Sequence, residues 1–241
     1  MFIDVETHCH TIASGHAYNT IEEMARYAKE KGLKAICITD HGPKMPWSCG
    51  MFYFYNMVVL PRKINDIIIF RGAESNIIDY EGTIDIEEGA LKRLDFVIAS
   101  LHDVCILSGT ILDHTRAIIG ALKNPYIHAI GHPGNTLYEI DKEVVVKAAK
   151  ESKKAIEINN GSFYVRPKSK ENCIEILKLC KEYKTYIILS SDAHHGSDLG
   201  RTDVTQKLIE DIDFPHELIV NRSLESFVDF LKLHGKEIEI F

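Results

Sequence analysis

The sequence predicts an α/β fold, a closed barrel of parallel strands joined by helices, formed as one domain over residues 1–241. Three observations predict it. Short β-branched runs alternate with stretches of helical period along the whole chain, and no Pro/Gly/Ser-rich linker, low-complexity tract or internal repeat interrupts them. Hydrophobic residues make up 45% of the 241 and charged residues 26%, enough apolar material for a full-sized core. Parallel strands need crossover helices, which are right-handed, and strict alternation over this length is the barrel pattern. A doubly wound open sheet is the alternative.

Seven runs are short and β-branched enough to be buried parallel strands: residues 2–5, 35–38, 67–70, 96–99, 127–130, 155–158 and 186–189. The first helix is expected over 20–32, where Thr20 is placed to cap, Glu23 to complete a capping box and Gly32 to stop the turn. Further helices are expected near 113–123, 142–151, 169–183, 201–211 and 223–233. Two segments break the rhythm. Residues 43–62 carry Trp47, Met51, Phe52, Tyr53, Phe54 and Tyr55, which read as a lid over a site, a dimer surface or a packed insertion; residues 77–90 are acidic and punctuated by glycine.

Lys and Arg total 28 against 35 Asp plus Glu, a formal charge of −7 that gathers neither long nucleic acid nor an anionic membrane. The apolar runs fall far below the roughly 20 residues that span a bilayer. The first residues carry Asp4 and Glu6 where a signal peptide is basic and then apolar, so a cytoplasmic protein is expected. Six cysteines without CxxC pairing read as reduced thiols, with Cys37, Cys105, Cys173 and Cys180 as small core residues.

Twelve histidines against a single tryptophan set this composition apart. The strands end in Glu6-Thr7-His8-Cys9-His10, Thr39-Asp40-His41, Gly72-Ala73-Glu74, Ser100-Leu101-His102, Ile130-Gly131-His132, Asn159-Asn160 and Ser191-Asp192-Ala193-His194. His8 and His10 are two apart in an extended segment and so share a side. In a barrel these C-terminal strand ends form the one face where active sites are built. Buried together without a cation, so many imidazoles and carboxylates would each need a separate partner; a metal uses their lone pairs directly. His114, His128, His216 and His234 read as surface or core residues, and the charged 150–154 run as a solvated helix end.

Taken with Ser14-Gly15-His16-Ala17-Tyr18 and Glu157-Ile158-Asn159-Asn160, these motifs resemble the polymerase and histidinol phosphatase (PHP) family, and within it the YcdX-type single-domain phosphatases, over essentially the whole chain. The resemblance implies a distorted seven-stranded, TIM-like βα barrel with a trinuclear metal centre and phosphoesterase chemistry. Carried onto this chain, it gives one metal to His8, His10, Glu74 and Asp192, a second to Glu74, His102 and His132 with Glu74 bridging, and a third to His16, His41 and His194. His195 doubles the terminal histidine, although His194 holds the matching position.

A set of imidazoles and carboxylates with no thiolate suits zinc first, with manganese or iron as alternatives. Three divalent ions bring about six positive charges, and Glu74, Asp192 and a bridging hydroxide return about three, a surplus that fits a phosphate dianion. The expected reaction is therefore hydrolysis of small phosphorylated metabolites by a metal-bridging hydroxide aimed at phosphorus. Glu74, Asp192 and His194 are the candidate catalytic residues, with the leaving-group proton from Asp192, His194 or His195. Arg166 and Arg201, just after the last two strands, are candidates to clamp the phosphate, and Asp40 to orient an imidazole. A phosphodiester substrate such as a nucleotide or short oligomer, a non-catalytic metal-binding role and a homo-oligomer stay open.

Overall fold

The computed structural model describes residues 2–238. Its strands are β1 (Val5–Cys9), β2 (Ala35–Ile38), β3 (Lys63–Ile64), β4 (Ile67–Asn76), β5 (Phe96–Ser100), β6 (Ala129–Ile130), β7 (Ala155–Asn159) and β8 (Ile187–Ser190). Seven of them run parallel in the order β1-β2-β4-β5-β6-β7-β8, and β3 adds a short antiparallel hairpin to β4. The parallel set curls into a nearly closed barrel. The seam between β8 and β1 has no strand ladder; the chain after the last strand crosses it, where the Asn221 amide donates to Val5 O (2.9 Å) and Leu189 O (2.6 Å) and accepts from Leu189 N (3.0 Å). Nearer the C-terminal end, His10 N donates to Ala193 O.

Side-chain parity divides the strands into two apolar layers. Ala35, Cys37, Phe70, Phe96, Ile98, Ala129, Ala155 and Ile188 face one cluster, while Ile36, Ile38, Ile69, Val97, Ile130, Ile156, Ile187 and Leu189 pack against the surrounding helices. Phe70, Phe96 and Phe227 fill the first cluster, the Phe227 ring lying 5.0 Å from that of Phe70 and 5.3 Å from that of Phe96, with Ala35, Ala129 and Ala155 leaving them room. The same parity continues from Phe70 through Gly72 to Glu74, from Ala155 to Glu157 and Asn159, and from Ile188 to Ser190 and Asp192. The apolar filling therefore gives way to polar side chains at the C-terminal ends of the strands.

Helix α1 (Ile21–Glu30) has the full capping box of Thr20 and Glu23, and Gly32 follows at φ +75°. Helices Ile111–Leu122, Lys142–Glu151, Ser169–Tyr183, Asp203–Ile212 and Leu224–Leu233 lie where helical period places them, within two residues at each end. Among the described residues, no helix is long and apolar enough to cross a membrane.

Some expectations need correction. The first strand is Val5–Cys9, not 2–5, because Asp4 N donates to Arg222 O and Phe2 packs edge-on against His216. The fifth parallel strand shortens to Ala129–Ile130; His128, placed before it, is fully buried and accepts from Val97 N. The 150–154 run ends in a buried lysine rather than a solvated one: Lys154 Nζ donates to the Leu122 and Asn124 carbonyls left over at the preceding turn, and burial pushes its pKa down to about 8. Cys105 is half-buried, whereas Cys37, Cys173 and Cys180 lie in the core. The aromatic segment packs in part, with Phe54 and Met57 buried, and leaves Trp47 and Phe52 exposed.

Candidate metal centre

The two N-terminal histidines reach the barrel mouth by a break in the β1 ladder. Register shifts between Glu6 and Cys9, so Val5 joins the inner cluster while Cys9, of the same parity, joins the outer one. Such a bulge re-aims side chains. Here Glu6 holds it, accepting from His8 N (2.9 Å) and reaching across the seam to Ser191 N, Ser191 Oγ and Gly200 N. His132 and Asp192 leave their strands through left-handed backbone, at φ +30° and +56°. Non-glycine residues rarely adopt that conformation, and it clusters at functional sites.

Four side chains converge on one point. His8 Nε2 and His10 Nε2 are 3.1 Å apart; Glu74 Oε2 lies 3.3 and 3.5 Å from them, and Asp192 Oδ1 3.5 and 3.3 Å. Ligand atoms on one ion with bonds of about 2.0–2.1 Å lie about 3.3–3.4 Å apart, so His8 and His10 are spaced to share an ion with Glu74 and, from their other side, with Asp192. The other Glu74 oxygen, Oε1, faces His132 Nε2 at 3.0 Å and His102 Nε2 at 3.2 Å. Glu74 thus divides its two oxygens between two groups of imidazoles. At the rim, His16 Nε2 and His194 Nε2 are 3.2 Å apart, and the His41 ring stacks on those of His10 and His16 at 4.2 and 5.0 Å. His41 Nδ1 lies 2.7 Å from Glu74 Oε2, placing it between the rim and the carboxylate.

Glu74 Oε2 is buried among ring nitrogens yet accepts no hydrogen bond, and His41 Nδ1 beside it is also without a hydrogen-bond partner. Such orphans are costly unless a cation takes the lone pairs. The donor set, imidazole and carboxylate at about the spacing of ligands on one ion, fits a divalent metal of the zinc type. Three sets of ligand atoms lie within 4.8 Å of one another: His8, His10 and Glu74; His41, Glu74 and His102; and His10, His41 and His194.

The remaining ring nitrogens settle which lone pairs face inward. His8 Nδ1 donates to Glu157 Oε1 (2.6 Å), His102 Nδ1 to Asn76 Oδ1 (2.7 Å) and His194 Nδ1 to Asp192 O (2.9 Å). His10 Nδ1 donates to Ser14 Oγ (3.0 Å), whose own proton goes to Asp40 (2.7 Å). Each pairing leaves Nε2 bare toward the centre, the arrangement that metal-ligating histidines adopt. Sequence reasoning gave Glu157, Asn76 and Ser14 no role, since acceptors for ring protons follow no spacing rule. For Asp40 the contact runs through Ser14, and Tyr53 of the aromatic segment also donates to Asp40 (2.6 Å). Asp85, from the acidic segment, holds the Asn76 amide at 2.6 Å.

Charge follows the same plan. Burial alone raises a carboxylate pKa, but neighbouring imidazoles outweigh it: Glu74 is held well below its usual range by His8, His102 and His41, and Asp192 by His8, His10 and Arg166. Burial, then His41 and His194, lowers His10; burial and Arg166 lower His132 to about 4. His8 goes the other way, because Glu157, Glu74 and Asp192 together overcome its burial. Ionised Glu74 and Asp192 and the neutral imidazoles of His10 and His132 are the protonation states that bind cations.

The centre opens into a cavity of about 340 Å³ whose walls include Met45, Pro46, Trp47, Asp103, Val104 and Arg166. Arg166 donates to Asp192 Oδ2 (3.3 Å) and Ser162 Oγ (2.8 Å). Arg201 lies elsewhere, in an adjoining hollow, over the Tyr164 ring at 4.1 Å and paired with Asp203 at 3.2 Å. His195 points into that hollow as well, leaving His194 as the member of the doublet in the cluster.

Comparison with known proteins agrees with this architecture. A "Probable phosphatase" of Caldicellulosiruptor bescii is 74% identical over 240 residues, covering all of both chains, and one from Acetivibrio thermocellus is 48% identical over 97% of each. Among solved structures, histidinol phosphate phosphatase from Lactococcus lactis, complexed with zinc, L-histidinol and phosphate, superposes with a TM-score of 0.59 at 20% identity, over 88% of this chain and 94% of that one. The PHP domain model matches residues 6–213, and the chain belongs to the PHP domain family.

Proposed function

We propose that this chain is a metal-dependent phosphatase that hydrolyses small phosphate monoesters at a centre of three divalent ions, zinc before manganese or iron. The observation that carries the reading is the divided Glu74 carboxylate, with Oε2 beside His8 and His10, which also meet Asp192, and Oε1 against His102 and His132. His16, His41 and His194 complete the ligand set at the rim. When bound, the ions supply Lewis-acid activation of water and positive charge for a phosphoryl group. The relatives' shared name and the zinc and phosphate of the Lactococcus lactis protein support this chemistry.

The chain's own groups orient the reactants. Arg166 spends part of its guanidinium on Asp192 and lines the cavity, so its charge meets an entering phosphate. Asp192 and His194 also line it and stand where a proton can return to the leaving oxygen, whereas His195 does not. Arg201, in the adjoining hollow, is positioned for parts of a substrate beyond the phosphate. A cavity of about 340 Å³ in a chain of charge −7 suits a small metabolite rather than long nucleic acid.

The test is elemental analysis of gently purified protein together with hydrolysis of a chromogenic phosphate monoester before and after chelation. About three ions per chain, with turnover abolished by chelator and restored by zinc or manganese, is the expected result. Metal-loaded protein that releases no phosphate from any monoester overturns it.

A further inference from the structure

We propose that Trp47, which lines the cavity together with Val104, is a specificity-determining residue that stacks on the leaving group, and that the preferred substrates are phosphate monoesters of flat, uncharged organic groups. This rests on the phosphatase reading above.

Trp47 is the chain's one tryptophan and is 90% exposed, while its own segment buries Phe54 and Met57. Its backbone is not loose. Ser48 Oγ donates to His41 O (2.6 Å), Cys49 N donates to Ala13 O (2.9 Å), and Ser48 N closes a turn onto Met45 O (3.1 Å). A Cβ on Gly15, at φ +81°, would meet Trp47 O at 2.3 Å, so the loop bearing His16 lies directly against Trp47. Trp47 itself sits at φ +62°, a conformation that costs an L-residue energy and that tertiary contacts must hold in place. The result is an indole fixed at its Cα and left unpacked at the mouth of the site.

The rest of the rim sorts the ligands that could meet it. Met45, Pro46 and Val104, the last 56% exposed, add apolar surface, while the floor carries the imidazoles, Glu74, Asp192 and Arg166. A phosphate therefore goes to the floor and the organic part to the apolar rim. Asp103, exposed beside Val104, sets a negative charge there and disfavours a second anionic group. An aromatic face recognises a flat partner through stacking as well as area, which separates aryl from small alkyl esters.

The single tryptophan gives a readout independent of turnover. Zinc-loaded protein is titrated with phenylphosphonate and with methylphosphonate, following both heat and tryptophan emission. The expected result is a saturable emission change with the phenyl compound and little with the methyl one. Binding by calorimetry with no emission change, or equal changes from both, overturns the assignment. In parallel, the ratio of kcat/KM for phenyl phosphate over ethyl phosphate is measured in Trp47→Gly, which accepts the positive φ, and in Trp47→Phe, which keeps a ring. The ratio should fall about fivefold to tenfold in the glycine variant, the affinity equivalent of one aromatic pair, and be largely kept in the phenylalanine variant. An unchanged ratio overturns the proposal. Absence of both turnover and phosphonate binding brings down the phosphatase reading with it, whereas phosphonate binding with tryptophan response but no turnover leaves the Trp47 site standing alone.

Discussion

An imidazole offers a lone pair at one nitrogen only while the other keeps its proton, so the acceptor behind a ring matters as much as the ring. For His8 that acceptor is Glu157, at 2.6 Å, fixed in turn by Ser190 Oγ at 2.6 Å and His132 N at 2.5 Å. Replacing Glu157 with Gln keeps the shape and removes the charge; zinc affinity, measured by chelator competition, should fall about 10- to 100-fold, the usual effect of losing such a partner. Unaltered affinity would show that His8 needs no charged support. Metal uptake should also depend on pH with a definite sign. Glu157, Glu74 and Asp192 raise the pKa of His8, so the metal-free site holds a proton on His8 above pH 6.5 that an entering cation must displace. Below that raised pKa, affinity should drop by up to about tenfold for each unit of acidification, with about one proton released per site filled. Zinc titration at pH 6, 7 and 8 with proton counting checks both. The clustered histidines and carboxylates were legible in the sequence because they sit at strand ends in a fixed order. The roles of Glu157 and Asn76 behind the rings were not, since partners 149 residues from His8 and 26 from His102 leave no local trace, and nothing in the spacing of Ser14 marks it as the acceptor for His10.

At the scale of elements, alternation and β-branching located six of the seven parallel strands and set the first too early, and neither revealed how the barrel joins β8 to β1. Toward the C-terminal end Glu6 and the His10 N to Ala193 O bond tie that seam; toward the other end a single side chain does. Asn221 makes three hydrogen bonds across it, to Val5 O, Leu189 O and Leu189 N, replacing the ladder the strands do not form, and it is fully buried. Asn221→Ala strands these buried groups and should cost about 2–4 kcal/mol, at roughly 1 kcal/mol or somewhat more for each bond left unmade. In a domain of this size that lowers Tm by about 5–15 °C in a thermal melt. A shift under 2 °C would mean that water or the neighbouring backbone takes over the seam. The β1 bulge was illegible for a related reason. The spacing of His8 and His10 said that they share a side, yet which side depends on a one-residue register shift, and Glu6 holds that shift through Ser191 and Gly200 at the far end of the chain. Periodicity sees strands one at a time and is blind to their pairing.

For the whole molecule, the mouth of the barrel is the place where folding and ion binding meet. β1, β2, β4, β5, β6 and the chain after β8 all end in groups that face one another there, with Glu74 and Asp192 ionised and Glu74 Oε2 and His41 Nδ1 without hydrogen-bond partners. Without a cation these two buried atoms stay unsatisfied, while the apolar filling around Phe70, Phe96 and Phe227 at the other end holds the barrel shut. The metal-free chain should therefore fold, with its core intact and its mouth loosened. Ligand binding to the native state alone stabilises by about 2.7 kcal/mol at a hundredfold excess over Kd, which for a domain of this length raises Tm by about 5–10 °C for each independently filled site. Thermal unfolding in chelator, then after dialysis into zinc, should show at least that difference and be reversible. Hydrogen exchange should place the lost protection at His8 to His16, His132 and Asp192 to His194 rather than at the strand starts. A melt indifferent to chelator would contradict an ion bound at the convergence of these strands, and protection lost uniformly would mean that the ions hold the barrel itself and not only its mouth.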